Sequence, residues 1–158
     1  MYYTYADTPA GKLLLTGDGN SISGLHWTVF RRAPKPALDW QETPKPFMQA
    51  IAELNDYFLG NLTEFTITYT ASGTPFQQAV WKELEKIPYG KTTTYKAIAQ
   101  AIDKPNAVRA VGTAVGSNPM SIVIPCHRVI ASNGTLGGYA GGLTSKQILF
   151  NIEAISIS

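Results

Sequence analysis

Residues 92–116, TTTYKAIAQAIDKPNAVRAVGTAVG, decide how the chain folds. Three consecutive threonines supply caps for a short helix, in which Tyr95, Ile98 and Ile102 share one face. Asp103-Lys104-Pro105 makes a tight turn, and Pro105 starts a further helix in which Val108, Val111 and Val115 point inward together. Two short helices joined this way predict a helix-turn-helix. The second helix presents Arg109, Gly112, Thr113 and Gly116 on its outer side. Each interior glycine costs about 1 kcal/mol relative to alanine, so the pair needs a reason. Either another element of the protein packs tightly there, or a smooth helix lies against a DNA groove with Arg109 as its one long side chain.

Working outward, Thr74-Pro75 opens a preceding helix, with Thr74 as cap and Pro75 in the first turn. Phe76, Val80, Leu84 and Ile87 form its buried stripe, and Pro88-Tyr89-Gly90 stops it. Thr70-Ala71-Ser72-Gly73 reads as a linker, dividing the chain into an α/β domain over 1–70 and a mainly helical domain over 74–158. The first domain predicts strands at Tyr2–Ala6, Lys12–Thr16 and Ser21–Trp27, separated by turn residues. Four prolines deny residues 31–46 regular structure. Phe47, Ile51, Leu54 and Phe58 then fall at helical spacing, with Gly60 to end the helix, and Glu64–Tyr69 alternates like another strand. No site is evident in this half. His26 has no ligand partner nearby in sequence and reads as structural.

Composition excludes several classes. One cysteine rules out an internal disulfide, and one cysteine with two histidines is too few for a typical structural zinc site. The N-terminus lacks the basic and apolar regions of a signal peptide, and no apolar run approaches the roughly 18 residues of a membrane span. A soluble, cytoplasmic protein is expected. Residues 1–73 carry five Lys/Arg against seven Asp/Glu, and residues 74–158 carry eight against four, so the net +2 combines −2 with +4. A basic second half suits phosphate contact, though many non-binders match it.

Ile124-Pro125-Cys126-His127-Arg128-Val129-Ile130 holds the single cysteine. A free thiol has a pKa of about 8.5, and only its thiolate is strongly nucleophilic. His127 and Arg128 place a base and a fixed charge beside it; the alternative is a buried cysteine acting as a small hydrophobe. Gly134, Gly137, Gly138, Gly141 and Gly142 follow, a cluster that can line a pocket with backbone groups or turn a wing-like hairpin. Leu143–Ile152 is a closing helix. Glu153 ends it, where the helix dipole disfavours a carboxylate, so a partner is needed, and His127 is the candidate.

Pro125-Cys126-His127-Arg128-Val129 resembles the active-site motif of the O6-alkylguanine-DNA alkyltransferases, the methylated-DNA–protein-cysteine methyltransferases. The likeness is strong from Thr74 to Glu153 and looser before it. The resemblance implies a ribonuclease H-like first domain and a winged helix-turn-helix second domain. It further implies irreversible, stoichiometric transfer of an alkyl group from O6-alkylguanine, with O4-alkylthymine as a second lesion, to Cys126 after base flipping. Residue by residue, it assigns Glu153 to orient His127, His127 to take the thiol proton through a water, and Tyr95 to donate toward guanine N3. Asn118 would brace the backbone around the Val129 turn, with carbonyls of Cys126 and Val129 accepting from the guanine amine. Arg109, Ala110, Gly112, Thr113 and Arg128 would meet DNA, while Val129, Gly137, Tyr139 and Ala140 would form the substrate pocket. Ala140 departs from the serine often found there. The implied partner is double-stranded DNA bound by a monomer, with no membrane, metal or cofactor. The alternative is a winged-helix module that binds DNA or its damage without chemistry; a cysteine hydrolase is weaker, because its histidine is normally remote in sequence.

Overall fold

The computed structural model describes residues 1–156. Its first half is built on a four-stranded sheet in the order β3-β2-β1-β4: β1 Tyr2–Thr8, β2 Gly11–Gly17, β3 Ile22–Trp27 and β4 Gln41–Glu42. The first three strands are antiparallel neighbours, registered through Tyr2↔Gly17 and Leu13↔Trp27. β4 pairs parallel to β1 inside the proline-rich stretch, a two-residue strand that the reading of 31–46 as irregular omitted. Leu13, Leu14 and Leu15 of the central strand are all buried, so both faces of the sheet are covered.

Helix α1, Met48–Phe58, packs Ala50, Leu54 and Tyr57 inward behind a 3₁₀ turn at Lys45–Phe47. Gly60 follows at φ +80, the left-handed conformation suited to glycine after a helix end. The strand expected at Glu64–Tyr69 does not form. Glu53 of α1 takes the Thr66 amide at 2.7 Å, so that donor is spent on a carboxylate rather than a strand neighbour. Ile22 pairs with this segment, donating to Thr68 and accepting from Thr70.

The second half begins with α2, Pro75–Glu85, under a capping box in which Thr74 and Gln77 satisfy each other's amides. Such a cap is worth about 1 kcal/mol. Trp81 of α2 donates to the Ala114 carbonyl at 2.9 Å, tying the helix to a later part of the chain. β5, Thr93–Thr94, leads into α3, Tyr95–Ala101, whose cap is Thr94. Helix α4 spans Val108–Gly116 and starts later than the expected Pro105. Asp103 takes φ +60, and the Lys104 and Ala107 amides close turns onto Ala99 and Lys104, so the chain cannot resume helix until Val108.

β6, Val129–Ile130, pairs parallel with β5, and α5, Leu143–Ile152, closes the fold as expected. The glycine-rich stretch between them contains no strand among the described residues. It is a loop with a turn at Ala131–Thr135 rather than a wing hairpin. The two halves are joined where Leu25 of β3 donates to Pro119 at 2.8 Å and accepts from Ser121 at 3.0 Å. This places β3 directly against the segment that leads to Cys126.

Candidate active site

Cys126 begins a 3₁₀ turn, Cys126–Arg128, set by the Arg128 amide bonding back to Pro125. The sulfur sits in the wall of a cavity of about 210 Å³, together with Tyr95, Asn118, Tyr139 and Ala140. That volume is below the ~300–1,000 Å³ of drug-sized ligand sites, so the cavity suits a small group. Asn118 accepts from the Met120 amide at 2.9 Å and donates to the Ile124 carbonyl at 2.8 Å. It braces the approach to Cys126, not the Val129 turn as expected.

Beneath the cysteine lies a buried polar cluster. His127 is fully buried, with Nε2 2.5 Å from Glu153 Oε2. Glu153 also accepts from Tyr57 at 2.5 Å, from Arg128 Nε at 2.8 Å and from the Gly90 amide at 3.0 Å. Burial alone would raise this carboxyl; the bonds from His127, Arg128 and Gly90 outweigh it and bring the pKa down to about 2. Burial pushes His127 the other way, toward the neutral imidazole, despite Glu153. With Glu153 ionised and acceptor-only, Nε2 must carry the imidazole proton, which leaves a lone pair on Nδ1. Nδ1 is the one buried side-chain nitrogen or oxygen without a hydrogen-bond partner among the described residues.

Arg128 is a correction to its assignment as a DNA contact. Its guanidinium is buried, bonded twice to Glu153 and once, at 2.7 Å, to the Ile87 carbonyl. Three of its five N–H donors are thus spent inside the protein. Burial raises the Cys126 pKa, opposed by an Asn118 hydrogen bond, the Lys146 ammonium and the backbone amides of Cys126 and His127. Lys146 was not singled out from sequence. Its stem is buried in α5 and its ammonium donates to the carbonyls of Val129, Leu136 and Gly138, holding the glycine loop against the cysteine turn. Burial lowers its pKa to about 8, partly opposed by Cys126.

Tyr95 lines the cavity from the first turn of α3, and burial raises its phenol, which stays protonated at neutral pH. Gly137 has φ +71, and a β-carbon there would stand 3.2 Å from the Tyr95 hydroxyl, so the loop can close on the phenol only with glycine. Gly138, rather than Gly137, lines the cavity itself. Val129 is fully buried behind the wall, its carbonyl already accepting from Lys146 at 2.7 Å. On α4, Arg109, Ala110 and Thr113 are exposed, and Gly112 and Gly116 border the cavity. A β-carbon on Gly116 would meet nothing within 4 Å, and one on Gly112 only a Tyr95 carbon at 3.9 Å. Tight packing inside the protein therefore does not account for these glycines. Tyr57 and Tyr89 were also missed; Tyr57 shares the inward face of α1 with Ala50 and Leu54, and a buried phenol there signals a polar partner. His26 is half-buried in β3, its pKa lowered by burial.

Two family models match this chain: the 6-O-methylguanine DNA methyltransferase ribonuclease-like domain over residues 1–70 and the DNA-binding domain of the same family over residues 75–155. The chain belongs to this family. A methylated-DNA–protein-cysteine methyltransferase from Methanosarcina barkeri is 45% identical over 97% of both chains. One from Haemophilus influenzae is 43% identical, covering 98% of this chain and 87% of its own. The crystal structure of Mycobacterium tuberculosis OGT in complex with DNA superposes with a TM-score of 0.90 at 43% identity, covering 97% of this chain and 92% of that one. The ribonuclease-like sheet with its helix, followed by a helical DNA-binding half, is thus the family fold.

Proposed function

We propose that this chain reverses DNA damage directly, moving an alkyl group from O6 of guanine in duplex DNA to the sulfur of Cys126. The observation that carries the reading is a cysteine in the wall of a base-sized cavity, followed in sequence by an imidazole whose Nδ1 lone pair is unpartnered. Methyltransferase activity on methylated DNA is the activity of the relatives at 43–45% identity. Residues 1–70 act as the supporting α/β domain and residues 74–158 as the DNA-binding and alkyl-acceptor domain.

Each step follows from a group in the site. The target atom lies on a stacked base, so the nucleotide swings out at a cost of a few kcal/mol. Arg109, exposed on α4 and free of any salt bridge among the described residues, fills the vacated place. Ala110, Gly112 and Thr113 let the helix lie close to the groove. The Cys126 proton passes through a water to His127 Nδ1, and the ionised Glu153 stabilises the imidazolium that forms. Sulfur attacks the alkyl carbon, the S–C bond forms and the C–O6 bond breaks. Tyr95 gives its phenol proton to guanine N3, so the base leaves neutral, and solvent restores the phenol. The product thioether has no second cysteine to resolve it, so one monomer transfers once.

Mixing the protein with excess duplex containing O6-methylguanine and weighing the intact protein tests this. The expected result is one added methyl per chain, on the Cys126 peptide. Repeated demethylation by unmodified protein would overturn it, and binding of the lesion without any transfer would favour a non-catalytic module.

A further inference from the structure

The cavity has a wall that the second half does not supply. Phe30, just beyond β3 in the first half, lines it together with Val115 and Ala140. Phe30 is placed by its own local bonds: its amide donates to the Trp27 carbonyl at 3.1 Å, and its carbonyl accepts from Ala33 at 2.9 Å. These turns send the neighbouring Val29 into solvent, 73% exposed, while Phe30 packs against the core. The segment is also braced from the far side. Trp27 Nε1 donates to the Tyr139 hydroxyl at 2.8 Å, their rings meet edge-on at 6.1 Å, and Gly141 lies flat on the Trp27 indole, where a β-carbon would clash at 2.9 Å. Leu25 is bonded to Pro119 and Ser121, so β3 cannot move without the Asn118–Cys126 segment.

The cavity lining mixes two kinds of side chain. Asn118, Ser121, Tyr95 and Cys126 bring polar or reacting groups; Phe30, Val115 and Ala140 bring hydrocarbon. A base offers hydrogen-bonding edges, which belong with the polar groups. An alkyl substituent can make no hydrogen bond and belongs against the hydrocarbon. We infer that Phe30 is a specificity-determining residue, closing the apolar side of the cavity and limiting the size of alkyl group that reaches Cys126. This deepens the proposed alkyl transfer and rests on it. It gives the ribonuclease-like half a direct part in substrate choice.

The test is the ratio of single-turnover rates on duplexes carrying O6-benzylguanine and O6-methylguanine, for the full-length wild type, Phe30→Ala and Phe30→Trp. One methylene in an apolar pocket changes selectivity by roughly 10–200-fold, so removing or enlarging a ring should shift the ratio by about tenfold or more. Phe30→Ala is expected to raise the benzyl-to-methyl ratio, and Phe30→Trp to lower it. A ratio within about threefold of wild type in the folded variants, checked by circular dichroism, would overturn the inference. Should one variant fail to fold, the other decides. Failure of the wild type to alkylate Cys126 with either duplex would instead strike at the transfer reaction itself.

Discussion

Beneath the cavity, His127, Arg128 and Tyr57 all turn polar atoms to Glu153, whereas on α4 Arg109 stands exposed with no acidic partner among the described residues. Two arginines of identical chemistry are used in opposite ways. Arg128 is held by a carboxylate and a carbonyl in the buried interior, where an uncompensated charge would cost several kcal/mol. Arg109 is left exposed, as the proposed entry into a stacked duplex requires. The same contrast holds for hydrogen bonding. The buried cluster leaves one atom unpaired, His127 Nδ1, while α4 keeps a smooth face with open space over its glycines. Under the proposed function, one region is preorganised for chemistry and the other is kept clear for DNA.

That contrast can be broken experimentally. The largest effect is expected from His127→Gln, which removes the base: transfer should slow by about 10²–10⁴-fold in single-turnover assays, on duplex and on free alkylguanine alike. A loss confined to duplex would mean that the histidine serves DNA binding. Next comes acid stability. Glu153 sits at about 2 in the fold against 4.5 ordinarily, so the unfolded chain takes up its proton first as pH falls. Its contribution, on the order of 3 kcal/mol, is complete above pH 4.5 and lost toward pH 2. Urea midpoints measured across that window should fall steeply in the wild type and less so in Glu153→Gln.

Arg109→Ala should sharpen the comparison from the other side. Losing the side chain that holds the flipped state should cost about 10–100-fold on duplex, within the few kcal/mol of unstacking, yet leave the rate on free alkylguanine base within about threefold. An equal loss on both substrates would place Arg109 in the chemistry instead. Gly112→Ala is the smallest change. A β-carbon there meets only ordinary contact with Tyr95, so thermal unfolding should show a gain of up to about 1 kcal/mol. DNA affinity should fall nonetheless, because the helix surface is no longer smooth; unchanged affinity would detach these glycines from the groove.

Local patterning carried much of this protein. Thr74, Thr94 and Gly60 mark helix ends by side-chain and backbone preferences that act within a few residues, and each stands where such preferences put it. The pairing of His127 with Glu153 was legible because a carboxylate at a helix C-terminus is unfavourable unless something distant holds it. The start of α4 was not legible, since Asp103 adopts a left-handed conformation that spacing of apolar residues does not report. Nor was the failure of the Glu64–Tyr69 strand, where alternation was present but a carboxylate of α1 captured the amide a strand would use.

The sequence by itself determined the halves, the helix order and the reactive stretch around Cys126, because caps, breakers and periodicity are short-range effects. Tertiary structure alone decided that Arg128 faces inward, that Lys146 flanks the thiol, and that Phe30 of the first half walls the cavity of the second. Those outcomes depend on desolvation and on contacts between residues far apart in the chain, and no local pattern encodes either.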